Sequence, residues 1–451
     1  MIPISSIAGF LKSPALTSWF NLFTKTSTIL IILPLVNNYF TEIDRFIWFT
    51  ITTFWSIILL MDLGLNPTLT RYFSYLSGKG NLSNIIHNES AFGLTDVDML
   101  VKFISQIYNW IVLVVVLVIL PLVFFSMYEK ISGLDRSREF LMLLCFSCFA
   151  SVMYLKSNVH NGVVQGLGYL PKVQLVQGAV SLLSCFLTVT AIILSGSLLW
   201  TVIAFYIPFC GYFFVMSKIS RNLRVMIFED KDEIIFNEIK GTFKKRIIGD
   251  AWKSGVGILA SQGFILVAAL LINKFEPIYI ATSFMLSLQL IRAASSYSQV
   301  PFYSLLPFYC KLYSQKKYKE LSHVVKQKFL ISLLLYVFIT LIVCFTVIND
   351  VGIFFFGSNF EEKIWFYFVL AFFFERIGAL LVQVYTITGD VKWHIVNGGG
   401  ALISLSLVVI FYKYFDAYLL IFFFALSYIL WVIPFTLYLI FKKSELAHNS
   451  N

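Results

Sequence analysis

Charge is what this 451-residue chain has least of: Asp, Glu, Lys and Arg make up 13% of it, against 59% hydrophobic residues and a mean hydropathy of +0.82. Water-soluble domains carry about 25% charged residues, so a soluble fold is excluded. Strict apolar/polar alternation is also missing, which argues against a closed β-barrel, and the long continuous apolar runs call for helices. The six cysteines (Cys145, Cys148, Cys185, Cys210, Cys310, Cys344) lie in or at the ends of apolar runs without the dense spacing of an oxidised framework. Cys145 and Cys148 stand one turn apart, but no histidine pair or second thiol pair accompanies them, so neither a metal nor another cofactor is expected. The five histidines are scattered. Grouped acids and histidines of the kind a membrane enzyme needs are absent, and a non-enzymatic role is expected. The N-terminus has no basic region ahead of its first apolar residues and no small-residue cleavage site, so the first helix is expected to stay.

A helix needs about 20 apolar residues to cross a bilayer, and about twelve such runs leave no room for a separate soluble domain. The runs predict spans over 15–38, 44–64, 103–125, 139–162, 172–195, 198–217, 250–272, 277–300, 329–349, 363–387, 394–412 and 417–441. Pro34, Pro121, Pro208 and Pro434 fall inside spans and predict kinks. With the N-terminus inside, the inward segments hold Lys12, Arg71, Lys79, Lys102, Lys172, the basic runs in 218–246 and 311–328, Lys392, Lys442 and Lys443. The outward ones hold only Arg45, Lys130, Arg136, Arg138, Lys274, Lys363 and Lys413. Both termini are therefore expected in the cytoplasm, and the net charge of +10 reads as this bias facing anionic lipid, with no nucleic-acid partner implied.

A repeat organises the chain. Lys156 to Gly178, K-S-N-V-H-N-G-V-V-Q-G-L-G-Y-L-P-K-V-Q-L-V-Q-G, is echoed without a gap by Arg376 to Gly398. In each copy a cation leads, a lysine (Lys172, Lys392) follows in the turn, and the next helix opens on an amide and a glycine. The domain reading is an N-terminal lobe over 1–217, a cytoplasmic linker over 218–249 and a C-terminal lobe over 250–451, two halves of six helices each, as in transporters built from repeats.

Ionisable residues within spans cost roughly 2.5–3.5 kcal/mol each at mid-depth unless they face water, a partner or a substrate. Here they are mostly cations: Lys25, Lys156, Lys253, Arg292 and Arg376. The acids are Asp62 and Asp250 near inner ends and Glu375 beside Arg376. Glu375 and Arg376 point about 100° apart on a helix, so a direct pair between them is not expected. Arg292 sits on a strip with Gln289, Ser295, Ser296 and Gln299 at spacings of three, four and seven, one helix face lined with hydrogen-bonding groups that suits a sugar. The 47 phenylalanines read mainly as lipid-facing surface, with Tyr297 and Tyr303 as candidates to stack on sugar rings.

Met61-Asp-Leu-Gly-Leu-Asn-Pro-Thr-Leu-Thr-Arg71, Trp19-Phe-Asn-Leu-Phe-Thr-Lys25 and Gln165-Gly-Leu-Gly168 resemble the bacterial polysaccharide flippases, whose O-antigen members are called Wzx, within the multidrug/oligosaccharidyl-lipid/polysaccharide exporter superfamily. The resemblance implies an all-α integral membrane protein of about twelve helices in two six-helix lobes around a central cationic cavity. Its implied substrate is undecaprenyl pyrophosphate carrying an oligosaccharide, its place the bacterial inner membrane, and its companions a polymerase and a chain-length regulator. Carried over by position, Lys25, Lys253 and Arg292 would bind substrate; the repeat adds Lys156 and Arg376, and the strip adds Gln289, Ser296 and Gln299. A multidrug or cation antiporter of the same superfamily would need acids at mid-depth, where this chain is basic. A polymerase-like membrane enzyme would need a large outward loop, and a major-facilitator carrier a glycine- and basic-rich signature that 71–80 lacks.

Overall fold

A computed structural model describes residues 14–62, 64–66, 68–70, 73, 94–132, 137–228, 249, 253, 255–303, 305–315, 317–348, 360–387, 393–411 and 416–448. Among these the regular structure is helical throughout. Among the described residues eleven helices are long and apolar enough to cross a membrane, and a twelfth, over His394–Ile410, is shorter.

In chain order these are α1 (Pro14–Tyr39), α2 (Glu42–Leu60), α3 (Leu94–Val114, a π turn Val115–Ile119, then Leu120–Ser132), α4 (Ser137–Gly166), α5 (Leu170–Ser195) and α6 (Leu198–Phe228). There follow α7 (Gly255–Phe275), α8 (Ile278–Tyr303), α9 (Tyr318–Ile348), α10 (Glu362–Thr386), α11 (Trp393–Ile410) and α12 (Ala417–Ser427, a π turn Tyr428–Val432, then Ile433–His448).

The caps follow local chemistry. Thr41 receives the Asp44 backbone N–H at 3.3 Å and donates its hydroxyl to the Asp44 carboxylate at 2.7 Å, closing the start of α2. Asp416 accepts the N–H of Tyr418 at the start of α12. The turn from α4 to α5 passes through Gly168 at φ +89°, a left-handed conformation open to glycine. Pro171 follows in the first turn of α5, where its missing N–H costs nothing.

Several helices outrun the spans their apolar runs predict. α9 begins at Tyr318 instead of 329, and α6 continues to Phe228 instead of 217, because 318–328 and 218–228 contain no Gly or Pro and are rich in helix formers. Lys319, Lys326 and Lys328 therefore ride on a helix. Of the expected linker, 218–228 is the end of α6 and the remainder, Gly249 apart, lies outside the described residues, as do Lys392 and Asp250. Pro121 and Pro434 each stand two residues past the end of a π turn, where the carbonyl that proline leaves unpaired is absorbed by a shift in the ladder.

The chain divides into two compact units. The first comprises 1–32 and 54–255, the second 33–53 and 256–451. The last seven residues of α1 and the first twelve of α2, placed with the N-terminal lobe by chain order, thus pack in the second unit. There Asn273 donates to Thr50 at 3.4 Å and Gln289 to Thr52 at 2.6 Å. In the first unit α6 lies against α4 and α5. Its core gathers Trp55, Tyr154, Tyr206, Phe209 and Tyr212, with ring centroids 4.9–5.5 Å apart. In the second, α8 lies against α9 and α10, and α10 against α12. Phe372, Phe424 and Tyr428 pack in series. Large apolar side chains left exposed, such as Leu117, Phe125 and Phe345, form the lipid-facing surface.

Candidate functional site

In the first unit the polar chemistry lies along α1 and α5. Asn21, Lys25 and Thr28 are spaced four and three apart, so they share a face of α1; Gln174, Gln177 and Ser181, spaced three and four, do so on α5. Asn21 donates its amide to Gln174 and, at 2.9 Å, to Gln177. The Lys25 ammonium donates to the Gln177 side-chain oxygen at 3.3 Å, and Thr28 donates to the Ser181 carbonyl at 3.2 Å. Gly178 allows this approach: a Cβ there would meet Phe20 Cε1 at 2.5 Å. The amides and glycine that open the second helix of the repeat thus seat α1. Lys25 is half-buried near the middle of its helix, and among the described residues its only bond is to a neutral amide.

Asp62, just past the end of α2, is a hydrogen-bonded acid of this unit. It accepts from the Tyr108 hydroxyl, from Asn158 at 3.0 Å and from the Asn66 N–H at 3.2 Å; Asn161 bonds Asn158, and Tyr212 donates to Asn161 at 2.7 Å. This chain of side chains ties α2, α3, α4 and α6 together. Lys156 stands elsewhere, in a cleft between α3, α4 and α6 that no residue of α1 or α5 lines.

In the second unit the strip on α8 is present, but its members face different partners. Arg292, half-buried at mid-helix, donates to Gln262 at 3.5 Å, and its Nε is buried without a partner. Gln262 sits in a π turn of α7, Leu259–Gly263, with no proline to cause it. That polar Ser-Gln-Gly triplet inside an apolar run was the signal by which Gln262 could have been found. Gln289 turns to Thr52, and Ser296 is half-buried on the same arc.

Ser295 and Gln299 belong to the Arg376 cluster. Arg376 donates to Gln299 at 2.9 Å, to Ser295 and to Glu375 at 3.1 Å, and Ser295 donates to Glu375 at 3.5 Å. The expectation that Glu375 and Arg376 do not pair is therefore corrected. Both turn toward Ser295, and the long arginine side chain closes the angle that their Cα positions open. Each is 4% exposed, so this cation is paired and enclosed within the protein. Lys253, just ahead of α7, is exposed.

Among the described residues, then, neither Lys25 nor Arg292 has a carboxylate at ion-pair distance, while Asp62 and Glu375 each accept bonds from other side chains. Each unit thus keeps a mid-helix cation that bonds an amide oxygen and no carboxylate. Such a setting favours an anion, most of all one that accepts several charge-assisted hydrogen bonds.

No known family and no curated protein matches the sequence. Solved structures do match the fold. A MOP-superfamily transporter from Pyrococcus furiosus aligns over 97% of this chain and 98% of its own, with TM-score 0.59 and 13% identity. The lipid II flippase MurJ aligns over 97% and 87%, with TM-score 0.58 and 15% identity. A MATE transporter from Vibrio cholerae aligns over 99% and 98%, with TM-score 0.59 and 14% identity. At these identities the likeness is one of fold: the chain is a multi-pass helical membrane protein with the architecture of the MOP-superfamily transporters.

Proposed function

We propose that this protein is a lipid-linked oligosaccharide flippase, carrying undecaprenyl-pyrophosphate-linked repeat units of the O-antigen kind from the cytoplasmic to the periplasmic leaflet of a bacterial inner membrane by alternating access. The observation that carries this reading is the charge inventory inside the helices: Lys25 and Arg292 lack acidic partners among the described residues, and the buried acids are taken up. A pyrophosphate group has the charge and the acceptors that each of these cations lacks. The amides around them, Asn21, Gln174 and Gln177 in one unit and Gln262 in the other, offer donors and acceptors to sugar hydroxyls. Lys253, exposed ahead of α7, would meet the head group early, and Ser296 and Gln289 lie on the Arg292 face. The likeness to a lipid II flippase supports a lipid-linked cargo. The likeness to MATE transporters supports the fold equally, but export of cations would require a free acid at mid-depth, and Glu375 is bound by Arg376. The released product would pass to a polymerase and its chain-length regulator.

The reading predicts that Lys25→Ala and Arg292→Ala each abolish surface polysaccharide in cells that depend on this chain, with normal amounts of protein in the membrane. Arg292→Lys keeps the charge and loses the two-pronged donor, so partial export is expected. Normal polysaccharide in both alanine variants at native expression would refute the assignment.

A further inference from the structure

The first unit holds a second cationic feature. A cleft of about 560 Å³ opens between α3, α4 and α6, lined by Lys102, Lys156, His160, Phe213, Arg224 and Asp98 among others. It lies along one side of the bilayer, because α3 begins there and α4 and α6 end there. At about 1.5 Å per residue, Lys156 sits about 9 Å inside the end of the apolar run of α4, whereas Lys102 stands at the start of that of α3 and Arg224 beyond the end of that of α6. The cleft therefore carries positive charge from outside the apolar runs to a point within them.

Among the described residues only one of these cations is matched. Arg224 pairs with Asp98, while its Nε is buried without a partner and the residue is 9% exposed. His160 packs on Phe213 with its Nδ1 also buried and unpartnered. Lys156 is half-buried, and no described carboxylate stands at ion-pair distance from it. An ammonium at that depth costs a few kcal/mol unless something answers it. Past the cleft, α3 exposes Leu113 and Leu117, and α6 exposes Ile207 and Phe214, a bed for hydrocarbon chains. A deep cationic slot continuous with lipid-facing apolar surface has the chemistry of a lipid phosphate with its acyl chains attached.

We infer that this cleft is a binding site for an anionic phospholipid of that leaflet, the phosphate held by Lys156 and Lys102 beside Arg224 and the acyl chains lying on α3 and α6. The site is separate from the flippase reading and stands without it. Purified full-length protein in neutral phosphatidylcholine micelles, titrated with phosphatidylglycerol, tests it by native mass spectrometry and thermal melting. Phosphatidylglycerol is expected to stay bound where phosphatidylcholine is lost, and to raise the melting temperature. Lys102→Gln together with Lys156→Gln should cut retention about tenfold, the size of about one charge-assisted hydrogen bond. Lys102→Gln alone, at an exposed position where folding is not at stake, should lose part of it, whereas Lys172→Gln, an equal charge change outside the cleft, should lose none. Equal retention by wild type, Lys102→Gln and the double variant would overturn the proposal. So would stabilisation reproduced by inorganic phosphate alone, since the site would then take a free anion and not a lipid.

Discussion

Arg376 and Lys25 show two ways of keeping a cation inside a helix bundle. Arg376 is answered within the protein by Glu375, Ser295 and Gln299, and its role is cohesion. Removing one partner of such a pair strands the other, so Arg376→Ala should destabilise the protein by about 3–5 kcal/mol, read as a lower melting temperature and less protein in the membrane. Replacing both partners, Glu375→Leu with Arg376→Met, should recover most of that loss, and export per molecule should return with it. A double variant that is stable yet inactive would show that Arg376 acts on the substrate after all. Lys25 is answered only by an amide, so Lys25→Ala should leave stability nearly unchanged and remove export. The contrast was half legible beforehand. Lys156 and Arg376 hold equal places in their helices, since 166 minus 156 and 386 minus 376 are both ten. What each meets depends on neighbouring helices, and spacing along one chain carries no information about them.

At the scale of elements, two features set geometry at the site. The first is the π turn of α7, which places Gln262 against Arg292. Gln262→Glu would set a carboxylate beside the guanidinium, so the protein should become harder to melt while its export falls, whereas Gln262→Leu should weaken export less. Melting in detergent alongside surface polysaccharide separates the two effects, and a Gln262→Glu variant that exports normally would count against a role for the free Arg292 charge. The second is the close approach of α4 to the helical residues after α2. Gly162 and Gly166, four apart, share a face, and a Cβ at Gly166 would lie 2.4 Å from Phe73 Cβ and 2.7 Å from the Thr70 carbonyl. Backbone cannot yield as a side-chain tip does, so Gly166→Ala should cost about 1–3 kcal/mol, measured by thermal melting. The number and order of the helices could be read from apolar runs because hydropathy over about 20 residues is a strong signal. Their ends could not, since α6 and α9 leave the apolar region without leaving the helix.

For the molecule as a whole the question is what drives transport. A pyrophosphate carries about two negative charges, and each one moved outward down about 100 mV, inside negative, releases about 2.3 kcal/mol. If cations of the protein travel with the head group, the loaded complex is nearly neutral and the field acts on the return of the empty carrier instead. Either way, collapsing the potential should slow turnover even with no proton or sodium gradient. The most direct test is to follow the head group of an undecaprenyl-pyrophosphate oligosaccharide across the bilayer of reconstituted vesicles, under a potassium diffusion potential with pH and sodium equal on both sides. Translocation that is faster with the potential imposed, and absent from vesicles bearing Lys25→Ala with Arg292→Ala, is the predicted result. Translocation by the double variant at the wild-type rate, or vesicles that move a cationic dye and leave the lipid-linked sugar in place, would contradict the account.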